Sequence, residues 1–163
     1  MSLVPLADLP DDARVWCFGA DPEPGPDTAG RLLEEMRAFV SEWTAHRKAL
    51  RAGVAWRSDR FLCVAVDESA AGASGCSIDA LSDRLRELER ELGVSLLDAA
   101  PVWYRDAAGT VRSVSRETFR ALAARGEIGA DTPAFDLTVA TLGELRAGRL
   151  ERPVRESWHA RLL

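Results

Sequence analysis

Phe61, Leu62, Cys63, Val64, Ala65 and Val66 form an unbroken apolar run. A run this short and this apolar is expected of a central strand, and a central strand needs partners on both sides. The flanking signals supply them. Residues 14–18 read as a short strand ended by a Pro- and Gly-rich loop over 21–27. Residues 52–57 read as a second strand, joined to 61–67 by a tight turn at Ser58 and Asp59.

Between them, Leu32, Met36, Phe39, Trp43 and His46 recur at spacings of four and three, which predicts one face of a first helix. Ile78, Leu81, Leu85, Leu88 and Leu92 predict the buried stripe of a second, and Gly93 suits the left-handed residue after its last turn. A fourth strand is expected over 101–105, with a partner over 111–114 returning through a turn that ends in Gly109. Ser115 is placed to cap a short third helix that carries Phe119 and Leu122 and stops at Gly126. Beyond residue 131 we expect a strand near 134–139, a short helix over 142–147 and an extended C-terminus.

The order strand, helix, strand, strand, helix, strand predicts an α+β fold of the ferredoxin-like, split-βαβ kind (βαββαβ), an antiparallel sheet with both helices on one face. A hairpin-plus-helix extension follows. The expected division is a core over 1–106 and an extension over 107–163 packed on it as one structural unit, which suits a chain of 163 residues. Alternating strand directions then bring the end of the first helix and the start of the second to one pole. Arg105, at the foot of the fourth strand, is expected there too.

Composition narrows the function classes. The net charge of −5 argues against a nucleic-acid backbone or an anionic membrane surface as partner. No apolar run approaches the ~20 residues of a membrane span, and the N-terminal residues lack a charged leader with an apolar core. Cys17, Cys63 and Cys76 are odd in number and widely spaced, so they read as reduced thiols and the expected location is cytoplasmic. No spacing of His, Cys and Asp matches a zinc, iron–sulfur or EF-hand pattern, so neither metal nor cofactor is expected.

The stretch from Asp67 to Asp79 carries the most chemistry: Asp67 and Glu68 at a strand end, small residues, then Ser74, Gly75, Cys76 and Ser77 opening the second helix. Small residues let the backbone turn tightly, and a helix start favours anions and biases a thiol toward thiolate. One reading is a nucleophilic or redox cysteine, or an anion cradle formed by Ser74, Gly75 and Ser77. The plainer reading is a capped helix. His46 is a candidate base for Cys76 if the two poles meet, or else a half-buried stripe residue. His159, in Glu156-Ser157-Trp158-His159-Ala160-Arg161, either docks the chain end or brings a second imidazole to that site. Asp67 and Glu68 could act as acid and base or hold a cation, or simply be solvated charges.

The stretch 67–79, together with Trp43-Thr44-Ala45-His46 and residues 156–161, resembles a small bacterial family of uncharacterised proteins that often carry the label "ABC transporter ATPase". A Walker A loop needs Gly-x-x-x-x-Gly-Lys-[Ser/Thr], and the only lysine, Lys48, lacks such glycines, so ATPase activity is not expected. Trp103-Tyr104, Gly109, Ser115, Leu122, Gly126, Ile128 and Asp131-Thr132 are similar to positions in bacterial GYF-like modules, hairpin-plus-helix units that bind partner proteins. Arg112-Ser113 stands where those modules carry Gly-Pro.

The functional expectation is a domain that binds a small anionic ligand or a protein partner at the Cys76 loop and helix N-terminus, with Asp67, Glu68 and Arg105 contributing. The alternative is a thiol-dependent enzyme or redox protein using Cys76 with His46 or His159 as base. No sequence signal speaks to the oligomeric state.

Overall fold

A computed structural model describes residues 2–163. In chain order the elements are β1 (Arg14–Gly19), α1 (Pro26–Ser41), β2 (Thr44–Ala45), β3 (Lys48–Ala49), β4 (Arg51–Arg57), β5 (Phe61–Asp67) and α2 (Gly75–Leu92). There follow β6 (Val102–Arg105), β7 (Val111–Val114), α3 (Arg116–Ala124), β8 (Pro133–Phe135), α4 (Leu142–Arg146) and β9 (Glu151–Pro153). Two 3-10 turns, Val154–Glu156 and Trp158–Leu162, end the chain. The fold is mixed α+β with antiparallel sheets. No described helix is long and apolar enough to cross a membrane.

The apolar run is explained by what covers it. All seven residues of β5 are buried. Leu62, Val64 and Val66 pack with Leu32, Met36 and Val40 of α1 and Leu81, Leu85 and Leu88 of α2. Phe61, Cys63 and Ala65 point the other way, into a cluster with Trp103 and Phe135 of a second sheet. With period-2 side chains and both faces covered, no polar position remains between Phe61 and Val66, and the strand's only polar residue is Asp67 at its end. β5 is central, in the order β1-β5-β4, antiparallel to both neighbours.

The expected fourth strand does not join this sheet. β6 lies in a second sheet of order β7-β6-β8-β9. The free edge of β1 is already used: Val15 N–H donates to Ala140 O at 2.9 Å, and Arg14 bridges Thr141. β6 instead turns Trp103 toward Phe61, ring centroids 5.2 Å apart, while Val102 and Tyr104 pack with Phe119 of α3. The β6–β7 hairpin therefore straddles the division expected at residue 106, and the second sheet begins at Val102. The sheets meet closely at Gly19, where a Cβ would enter the Trp103 ring.

Other differences are local. α1 ends at Ser41, so Trp43 and His46 are not on its stripe. Tertiary contacts hold Trp43: its indole N–H donates to Ser77 O at 2.9 Å, and its carbonyl accepts from Ser2 Oγ at 2.8 Å. His46 and Arg47 form the tip of the β2–β3 hairpin with φ of 50° and 66°, a left-handed geometry that costs side-chain-bearing residues about 1 kcal/mol each. Arg47→Gly should therefore raise stability by about 1 kcal/mol in urea unfolding, whereas a loss of stability would show that the arginine side chain has a role at this tip. The strand expected over 134–139 is confined to Pro133–Phe135. The C-terminus is not extended: Val154 and Leu162 are buried with Tyr104 and Phe119, and His159 is buried beside the Phe119 ring.

Candidate functional site

The expected site divides. The common pole exists, since the Trp43 indole reaches the first turn of α2. The groups on it are otherwise engaged or apart. Ser74 caps α2, its Oγ accepting from Ser77 N–H at 3.2 Å, and Ser77 Oγ donates back to Ser74 O at 2.8 Å. Gly75 and Cys76 are exposed in the first turn, and His46 is exposed on its hairpin. Among the described residues no hydrogen bond joins His46 to Cys76.

Asp67 accepts from Ser69 N–H at 2.9 Å and from Arg51 at 3.3 Å. The Ser69 hydroxyl and N–H, and then Arg51, outweigh burial and hold its carboxyl below the usual range. Glu68 faces Arg14 at 3.6 Å. Arg105 is elsewhere, in the second sheet. It grips Glu151 through two nitrogens at 2.6 and 3.1 Å, with the first sheet between it and α2.

His159 is not at this pole either. The register pairs Asp67 with Arg51 and Val66 with Arg14 at one end of the sheet, and Gly19 with Phe61 at the other. α2 starts at the Asp67 end and runs 18 residues, about 27 Å, to the Gly19 end. There Asp21 and Ser95 exchange hydrogen bonds of 3.0 and 2.7 Å, tying the chain after α2 to the chain after β1.

At that second pole the two sheets and α3 enclose a cavity of about 630 Å³. Its walls include Cys17, Phe18 and Gly19 of β1, Trp103, Phe135, and Trp158, His159 and Leu162 of the C-terminal turn. Its size and largely apolar lining are those of a small-molecule pocket. Arg116 and Arg120, one turn apart on α3, and Arg161 contribute three guanidinium groups. None of the three has an ion-pair partner among the described residues. Arg116 lies 5.2 Å over the Trp158 ring. Asp98 is the one acidic side chain on the wall, and its Oδ1 accepts from Ala100 N–H at 2.9 Å.

His159 is fully buried, stacked on Trp158 with centroids 4.1 Å apart. Its Nδ1 is hydrogen-bonded to Ser157 Oγ at 2.6 Å, and Nε2 has no hydrogen-bond partner. Burial, with Asp136 opposing and Arg152 assisting, pushes the imidazole down to about 4, so it is neutral at pH 7. An unpaired buried polar atom costs about 1–3 kcal/mol, and Arg152 Nε, on a charged neighbour of this imidazole, is likewise buried without a partner.

The sequence reading found His159 but missed its companions. Arg116 and Arg120 at a spacing of four were a legible signal, since that spacing places two cations on one helix face. Cys17, Trp103 and Arg161 carried none, because only the packing of the second sheet brings them together. No family model, curated protein or solved structure matches this chain.

Proposed function

We propose that this chain is a ligand-binding domain that takes a small anion with an apolar, ring-bearing body into the cavity between its two sheets. The observation that carries the reading is the cavity itself, where three guanidinium groups without ion-pair partners, those of Arg116, Arg120 and Arg161, gather beside the rings of Trp103 and Trp158. An apolar wall with a few convergent polar groups is the usual composition of such a site. The guanidinium groups suit a carboxylate, sulfonate or phosphate, and the rings of Trp103, Trp158 and Phe18 suit a planar body. The frame is a split-βαβ unit, β1-α1-β4-β5-α2, whose expected fourth strand, β6, lies in the second sheet while residues 140 and 141 take the place beside β1. A binding role at this pole fits the geometry better than one at the Cys76 loop, where the helix start is closed by its own serines.

The test uses anilinonaphthalene sulfonate, an aromatic anion of suitable size, followed by probe fluorescence and tryptophan quenching. Saturable binding at one site per chain is expected, weakened about tenfold in each of Arg116→Gln and Arg161→Gln. Affinity unchanged in both variants, with their melting temperatures preserved, would place the probe elsewhere and remove the proposal.

A further inference from the structure

We infer that Cys17 and Cys63 are an oxidisable pair that closes to an intramolecular disulfide between β1 and β5, entered from the cavity. The two residues are directly opposed in the register, with Sγ atoms 3.0 Å apart, and both are free thiols. The pairing geometry favours a bridge. Val15 N–H points away from β5, to Ala140 O, so by the two-residue repeat Cys17 N–H does the same. Cys17 and Cys63 therefore form a non-hydrogen-bonded pair of the antiparallel ladder, the kind in which side chains lie closest, with Cα atoms about 4.5 Å apart. That separation lies within the range disulfides adopt, and the sulfurs need to approach by about 1 Å.

Access runs one way. Cys17 lines the cavity, whereas Cys63 is fully buried behind it. A small peroxide arriving through the cavity thus meets Cys17 first. The Cys17 thiolate attacks the O–O bond, taking one oxygen as sulfenic acid and releasing hydroxide, which picks up the thiol proton as water. The Cys63 thiolate then displaces the sulfenic hydroxyl, which leaves with the Cys63 proton as a second water. Two thiols are oxidised by two electrons, and one peroxide is reduced to two waters. The contact with Cys63 and then burial push the Cys17 thiol above its ordinary value, so this oxidation is slower than that of an exposed thiol such as Cys76. Cys76 is held at the other pole and takes no part.

The experiment uses the full chain carrying Cys76→Ser, which removes intermolecular pairing. The folded protein is treated with hydrogen peroxide, then denatured with N-ethylmaleimide and weighed. The expected product is two hydrogens lighter, carries no maleimide and yields a Cys17–Cys63 linked peptide. Its melting temperature should rise by roughly 10 °C and return on reduction, since the bond closes a long loop. In the Cys76→Ser, Cys63→Ser double variant, Cys17 has no resolving thiol, and dimedone should trap its sulfenic acid. Two maleimides on the treated Cys76→Ser protein would overturn the inference, as would sulfinic acid at Cys17 without a cross-link. These readouts require no ligand, so they stand or fall apart from the binding assay.

Discussion

Phe61→Ala should lower the unfolding free energy by about 4 kcal/mol, with a midpoint shift in urea followed by tryptophan fluorescence. Phe61 has no solvent exposure and opens β5 at the seam between the two sheets. Its ring stacks on Phe135 at 4.5 Å and meets the Trp103 edge at 5.2 Å. Truncation removes the transfer energy of a buried phenyl and leaves a void that two further rings border. Each aromatic pair adds about 1 kcal/mol to the loss. Since domains of this kind hold about 5–15 kcal/mol in all, the variant should be marginal. Phe39→Ala is the comparison: Phe39 is only partly buried, beside Trp43, and should cost clearly less. A Phe61→Ala cost no larger than that of Phe39→Ala would mean that the two sheets do not share a core.

The second large effect is set by pH. In the folded state burial lowers His159 from the ordinary 6.5 to about 4. Between those values the unfolded chain binds a proton that the folded chain refuses, so folding loses stability as pH falls. The contribution is whole above pH 6.5 and is lost as pH drops toward 4, about 3 kcal/mol over the window. The charged neighbours are Asp136, which favours the imidazolium, and Arg152, which opposes it. Asp136 titrates lower. Burial raises its carboxyl, but the Thr138 hydroxyl, Arg152 and the Thr138 N–H outweigh burial and hold it below the usual range. Its own loss of stability therefore sets in as pH falls through the usual carboxylate range, overlapping the low end of the histidine window, and is common to wild type and variant. Wild type and His159→Phe should be unfolded in urea at several pH values from 7 to 4.5. The phenyl keeps the stacking on Trp158, and the variant should show a clearly shallower acid slope. Parallel slopes would mean that the imidazole is not buried as described.

Much of the fold could be read from neighbouring residues. Gly93 does take the left-handed conformation after α2, with φ of 69°, Ser115 caps α3, and Gly126 follows that helix with φ of 76°. The run through β5 does mark a central strand. These signals are local, because a cap, a turn or a hydrophobic period is satisfied by residues a few positions apart. The end of α1 was not legible, since Trp43 keeps the helical spacing but is held by Ser77 and Ser2 from distant parts of the chain.

The same limit governed the site. The chain order correctly implied that Trp43 and the start of α2 share a pole, but the partner chosen by β6 depended on which sheet edge was still free. Residues 140 and 141 occupy the outer edge of β1, more than a hundred positions downstream of it. That choice created the second sheet, and with it the cavity that gathers Cys17, Arg116, His159 and Arg161. Propensity and periodicity are written along the backbone and so are open to reading. Edge occupancy and enclosed volume arise from competition among distant segments for the same surface, and only the folded chain settles that competition.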